Sequence, residues 1–191
     1  MSEKKSKEQG EDKPDILIGY LSIAELSKDL FRGGLLLVDL KGKPQDFRCT
    51  SVIKPNAIQR ALYGGTLAGH MALNLCGLPL LNALQKKPTL LVASNPDLLV
   101  LRGEIEIPML WLRRQEAVLP SSQSSGHEYE LVASDAGLFD TVLASCAAGY
   151  GQDLGAAVDG IRQIGHSIDP LEPFSRVESA LKLVQDKAGT R

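Results

Sequence analysis

The chain has 191 residues, of which 23% are charged and 43% hydrophobic, and its formal net charge is −2. A chain this long can bury one good core, and its near-neutral balance gives no global attraction to nucleic acid or to an anionic membrane. No apolar run approaches the roughly 20 residues that span a bilayer, so no transmembrane helix is expected.

At the start, Lys4, Lys5, Lys7 and Lys13 stand against Glu3, Glu8, Glu11 and Asp12 with nothing apolar to pack. The stretch also lacks the apolar centre of a signal peptide, so residues 1–14 read as a disordered tail. Residues 15–191 then form a single domain, expected in the cytoplasm. Cys49, Cys76 and Cys146 are odd in number and far apart, which argues against a secreted disulfide scaffold and against zinc held by CxxC pairs. Each reads as a small buried hydrophobe.

Ile16 to Ile23 is the first predicted strand, although Ser22 to Phe31 also fits a short helix around Ala24-Glu25-Leu26. Gly33-Gly34 precedes Leu35-Leu36-Leu37-Val38, a short apolar run that reads as a buried strand. Lys41-Gly42-Lys43-Pro44 supplies a tight turn, and Asp46 to Ile53 resumes in strand alternation, so the pair makes an antiparallel hairpin. Pro55 opens a helical crossover over 55–87, with Ile58, Ala61, Leu62, Ala68, Ala72 and Leu75 at helical spacing. Gly64-Gly65 should kink or divide it, and Gly77-Leu78-Pro79 should end that pattern before another short helix from Leu80 to Lys86. Thr89 to Ala93 is the next buried strand, so strand, helical crossover and strand point to an α/β arrangement.

Ser94-Asn95-Pro96-Asp97 makes a turn with helix caps, and Leu98 to Leu101 follows as about one helical turn. Met109 to Leu112, with Trp111 in the core, and Tyr129 to Ala133 read as strands that could pair across a flexible loop at 115–128. From Asp135 onward the signals are mainly helical, giving a helical C-terminal region over 136–188. Leu138, Val142 and Cys146 recur every four residues, with a strand left open by Thr141-Val142. Leu154, Val158 and Ile161 mark the next helix, with Asp153 in cap position. Asp169-Pro170-Leu171-Glu172 carries a capping box ahead of Phe174, Val177, Leu181 and Val184. The predicted fold is α/β (or α+β), with a mixed sheet of five or six strands, a β-hairpin, a helical crossover and helices at the end.

Three function classes follow. Arg48, Lys54, Gln59, Arg60 and Tyr63 fall along the second hairpin strand and the helix after it, and Lys54 stands at a helix N-terminus that attracts anions. They form a candidate anion or nucleotide site, without a glycine-rich phosphate fingerprint. The order of hairpin, helix and strand resembles ribonuclease H-like folds, which implies metal-dependent nuclease or hydrolase chemistry. That chemistry needs carboxylates converging on metal ions about 4 Å apart. Asp39 and Asp97 at strand ends are the candidates, then Asp135 and Asp140; residues 56–76 contain no Asp or Glu. His70, His127 and His166 are isolated and fit no metal-ligand motif, so no metal site or cofactor is expected from histidine. No GxSxG elbow occurs, and Cys146 has no base named for it.

With no catalytic constellation assembled by spacing, the leading expectation is a non-enzymatic binding or assembly module. A protein partner or self-association is expected before nucleic acid, which the net charge does not favour, and no membrane partner is expected. The final helices, with Ala144 to Ala148 and Ala156-Ala157 as small-residue faces, suit either internal packing or docking.

Overall fold

A computed structural model describes residues 16–115, 128–134 and 137–188. The tail at 1–14, Asp135 and most of the loop at 115–128 fall outside those residues. The described residues form a mixed sheet of seven strands, against the five or six expected. These are β1 (Leu17–Ser27), β2 (Leu30–Asp39), β3 (Pro44–Cys49), β4 (Leu90–Ala93), β5 (Met109–Arg114), β6 (Tyr129–Val132) and β7 (Val142–Ser145), in the order β3-β2-β1-β4-β5-β7-β6. β1, β2 and β3 run as an antiparallel meander, β1, β4 and β5 run parallel, and β7 is antiparallel to both β5 and β6.

The first two strands are longer than their apolar runs. Ala24 and Glu25 stay in β1 opposite Arg32 and Phe31, so the alternative helix over 22–31 does not form. Gly33 and Gly34, expected ahead of a strand, lie inside β2 and serve one face each. A Cβ at Gly33 would meet the Cys76 Sγ at 2.7 Å, and one at Gly34 would meet Val177 Cγ1 at 2.8 Å. Helices therefore approach both faces of the sheet at this one point. The hairpin of β2 and β3 forms as expected, with Gly42 at φ 72° in its turn.

The crossover is α1 (Ala57–Tyr63), a 3-10 turn (Gly64–Thr66), α2 (Leu67–His70), a π-helical stretch (Met71–Gly77) and α3 (Leu78–Ala83). Gly64 breaks it as expected, at φ 49°. Pro79 does not. The Leu78 N–H reaches back to the Leu73 carbonyl, and this wider turn stands where proline, with no N–H to give, would interrupt a regular helix.

The expected pairing of the strands near 109–112 and 129–133 is absent because β7 lies between them. Val142, Leu143, Ala144 and Ser145 are all buried in that position. A spacing of four between Leu138, Val142 and Cys146 satisfies a period of two as well as one near 3.6, which is why it reads as a helix. From 137 to 188 the C-terminal region is thus a strand followed by α4 (Gln152–Gly165) and α5 (Glu172–Ala188).

α4 and α5 cover one face of the sheet, burying Val158, Ile161, Phe174, Val177 and Leu181 against Ile18, Tyr20, Leu36 and Val38. The Tyr20 and Phe174 rings meet edge to face at 5.2 Å. The crossover helices cover the other face, with Ala72, Cys76 and Leu80 against Leu21, Leu35 and Leu91. Trp111 is half-buried at the edge of this second core, and Val184 at the end of the α5 stripe stays exposed. Asp169 caps as expected, its Oδ1 accepting from the Leu171 N–H at 2.9 Å, and it also pairs with Arg114. Glu172 pairs with Arg176 where the capping box would have turned it back to Asp169. The Asp153 cap does not form, because Asp153 is buried in an ion pair with Arg102.

Candidate functional site

From β1 the chain travels outward to β2 and β3 on one side; from β4 it travels to β5 on the other. The course of an open sheet reverses between two such strands, and the crevice beyond their carboxyl ends is where ligands sit in folds of this kind. Here that crevice is a cleft of about 420 Å³. Ile23, Phe31, Leu67, Met71 and Ala72 make its apolar lining, and Glu25, Arg60, Asn95 and Asp97 supply the polar groups.

Each polar group is held by a different element. Glu25 is the one acidic residue of β1, and its Oε1 accepts from the Asp29 N–H at 3.2 Å. Asp29, at φ 65°, turns the chain into β2 and pairs with Arg60 of α1 at 2.9 Å. Asn95 follows β4 in extended backbone, and its side chain does not cap the 3-10 helix after it, Pro96–Gly103. Its Oδ1 is buried without a hydrogen-bond partner. A buried acceptor left unpaired costs about 1–3 kcal/mol, which a donor from a ligand or a water removes. Asp97 lies in the first turn of that 3-10 helix.

The other carboxylate candidate, Asp39, is at the opposite end of the sheet. It pairs in register with Leu17, whereas Leu21 pairs with Ala93 just before the cleft. Four residues of strand amount to about 13 Å. Asp39 is also fully engaged: its Oδ1 accepts from the Lys41 and Lys43 N–H groups, both at 2.9 Å, and its Oδ2 from the Gln45 side chain at 3.2 Å. It closes the hairpin turn, and it does not converge with Asp97. Asp140 is exposed, and its carbonyl accepts from Arg114 at 2.8 Å.

The anion candidates are distributed over several places. Arg48 is tied to Asp46 at 3.1 Å, and the same carboxylate accepts from the Gln85 N–H at 3.2 Å, pinning β3 to the residues after α3. Burial pushes the Asp46 carboxyl up, but the Gln85 N–H, the Arg48 guanidinium and the Phe47 N–H together hold it below its ordinary value. Lys54 and Gln59 line a separate cleft of about 180 Å³. Gln59 is occupied in a capping box, accepting from the Asn56 N–H at 2.9 Å and donating its own to Asn56 Oδ1 at 2.8 Å. Tyr63 stacks on His70 with ring centroids 4.3 Å apart. Only Arg60 of this group lines the cleft beyond β1 and β4.

Among the described residues no three His, Cys, Asp or Glu side chains are grouped to hold a metal ion. Glu25, Asp97 and the Asn95 amide are hard oxygen donors of the kind magnesium takes when it keeps several waters. They fit at most one such hydrated ion and not the carboxylate set of a two-metal centre. Sequence reasoning missed Glu25, which it placed in an alternative helix, and Asn95, which it took for a helix cap. The signal available for Asn95 was its place directly after a strand that follows a crossover.

No protein-family model matches the chain, and no curated protein does. Among solved structures, it is similar to endonuclease V of Ciona intestinalis in complex with a 24mer DNA containing an inosine followed by a ribo-adenosine, with 9% identity and a TM-score of 0.45 over 90% of this chain and 88% of that one. It is also similar to human ENDOV, at 9% identity and a TM-score of 0.40, over 87% and 86% of the two chains. Likenesses this weak carry no inference to function.

Proposed function

We propose that this protein is a binding domain that takes a nucleotide, free or within a single-stranded nucleic acid, in the cleft at the carboxyl ends of β1 and β4. The observation that carries the reading is the character of that cleft: an apolar lining that includes Phe31, with Glu25, Asn95, Asp97 and Arg60 around it. An apolar floor suits a base or sugar. The carboxylates and the unpaired Asn95 Oδ1 suit amino and hydroxyl donors, and Arg60 suits a phosphate.

The test is a thermal-shift series with nucleoside monophosphates and short single-stranded DNA and RNA, with and without magnesium. A ligand at about 100 times its dissociation constant stabilises the fold by about 2.7 kcal/mol. The shift should be lost in Asn95→Ala and in Asp97→Ala and retained in Asp39→Asn. No shift with any member, or a shift that survives both cleft substitutions, would remove this reading.

A second reading is metal-dependent phosphodiester hydrolysis, favoured by two carboxylates on the same cleft of a sheet whose first five strands have the layout of a ribonuclease H-like fold. Glu25 and Asp97, with the Asn95 amide, would hold the ion. A divalent ion so bound would polarise a phosphoryl oxygen and supply an acidified water. Cleavage of a labelled oligonucleotide in magnesium or manganese, abolished separately by Glu25→Gln and Asp97→Asn, would favour it over binding alone.

A further inference from the structure

We propose that α1 is a hinged flap over this cleft, latched shut by the ion pair between Arg60 and Asp29; the proposal rests on the cleft being the binding site. α1 contains no buried residue, and Ile58 and Leu62 are 69% and 79% exposed. Its main packing neighbours are the Gly64–Thr66 turn and α2, which are its own continuation. Little apolar area holds it down.

Its two ends differ in kind. Upstream, Ile53 is pinned to the sheet by paired backbone hydrogen bonds with Phe31 at 2.9 and 2.8 Å. Downstream, Gly64 sits at φ 49° and ψ −125°, and neither Gly64 nor Gly65 has an atom within 4 Å of where a Cβ would stand. An unencumbered glycine pair absorbs backbone rotation at low cost. Between anchor and hinge, an ion pair, the one at α1 among the described residues, reaches from Arg60 to Asp29, from the wall of the cleft to the β1–β2 turn. Both side chains are close to half exposed, 40% and 45%, so the latch is a weak one that salt screens.

The flap is read without any ligand. Met71 shares this cleft with Arg60 and the neighbouring one with Gln59, both of α1, and is 6% exposed, so a thiol introduced there gains exposure when α1 moves. In a Met71→Cys, Cys49→Ser chain, labelling by a charged methanethiosulfonate at low salt should rise about two- to fivefold on adding Arg60→Gln or, separately, Asp29→Asn. Salt at about 1 M should give the parent the same increase and leave both latch variants unchanged. Equal rates in the parent and both variants, or a rate that tracks global unfolding by circular dichroism, would overturn the flap. Failure of nucleotides to bind would leave the labelling result intact, so the two readings fail separately.

Discussion

The Cys76 sulfur lies against the Cα of Gly33, so close that a single added carbon at Gly33 would come within 2.7 Å of it and within 2.9 Å of the Cys76 Cβ. The contact brings the π-helical stretch close against β2, and the same stretch supplies Met71 and Ala72 to the cleft. Gly33→Ala should cost about 1–3 kcal/mol, as overpacking in a close-packed core does. Adding Cys76→Ala should recover only part of the loss, because the Cys76 Cβ remains in the way. Urea midpoints of the three chains measure this. Full recovery in the double variant would mean that the sulfur alone sets the spacing.

Arg102 and Asp153 form the main buried ion pair on the side of β5. The guanidinium meets the carboxylate at 2.6 and 3.2 Å, donates to the Ile105 carbonyl at 2.6 Å and lies 4.3 Å above the Tyr150 ring. Asp153 also accepts from the Met109 N–H at 3.1 Å. The pair thereby joins the 3-10 helix after β4, the start of β5 and the first turn of α4. Removing one partner strands the other: Asp153→Ala should cost about 3–5 kcal/mol. The double change Asp153→Leu with Arg102→Met should be less damaging than the single one, since it leaves no uncompensated buried charge. A double variant weaker than Asp153→Ala in urea would show that the tie between the three segments matters more than the lone charge.

The hairpin, the division of the crossover at Gly64-Gly65 and the strand at Leu90–Ala93 were legible because each rests on local chemistry: a turn residue, a pair of helix-breaking glycines, a short apolar run bounded by turns. Gly33-Gly34 misled because glycine marks close approach as well as turns, and only the packed helices reveal which. β7 was hidden by a spacing that two periods share. Of the candidate site, Asp97 and Arg60 were found as members of different groups. Their common cleft depends on which strands become neighbours, and β1 and β4 are some 70 residues apart in the chain. Asp39 shows the reverse case. Its residue type fits a catalytic role, yet its hydrogen bonds close the turn beside it.

The three thiols should differ sharply in reactivity. Cys49 is half-buried, while Cys76 and Cys146 have no exposed surface. Burial pushes the Cys76 thiol up to about 12. At pH 8 roughly one such group in ten thousand is then thiolate, the form that reacts. Iodoacetamide followed by peptide mass spectrometry should label Cys49 first, and Cys76 and Cys146 only in urea. Native labelling of Cys76 at the pace of Cys49 would contradict the close packing of the π-helical stretch on β2.

The Asp46 carboxylate should give the protein an acid-sensitive component of stability. Its folded-state value lies below the ordinary 3.8, held down against burial by the Gln85 N–H, Arg48 and the Phe47 N–H. A carboxyl depressed in the folded state binds protons more readily in the unfolded chain. Its contribution is therefore present above pH 3.8 and declines as the pH falls through that value towards the lower folded one. Asp46→Asn removes the charge and keeps the shape. Melting temperatures of both proteins, taken from pH 7 downwards, should differ at pH 7 and converge below pH 3.8. A gap that stays constant across the series would show that the pairing of Asp46 with Arg48 and Gln85 holds β3 by shape alone, without its charge.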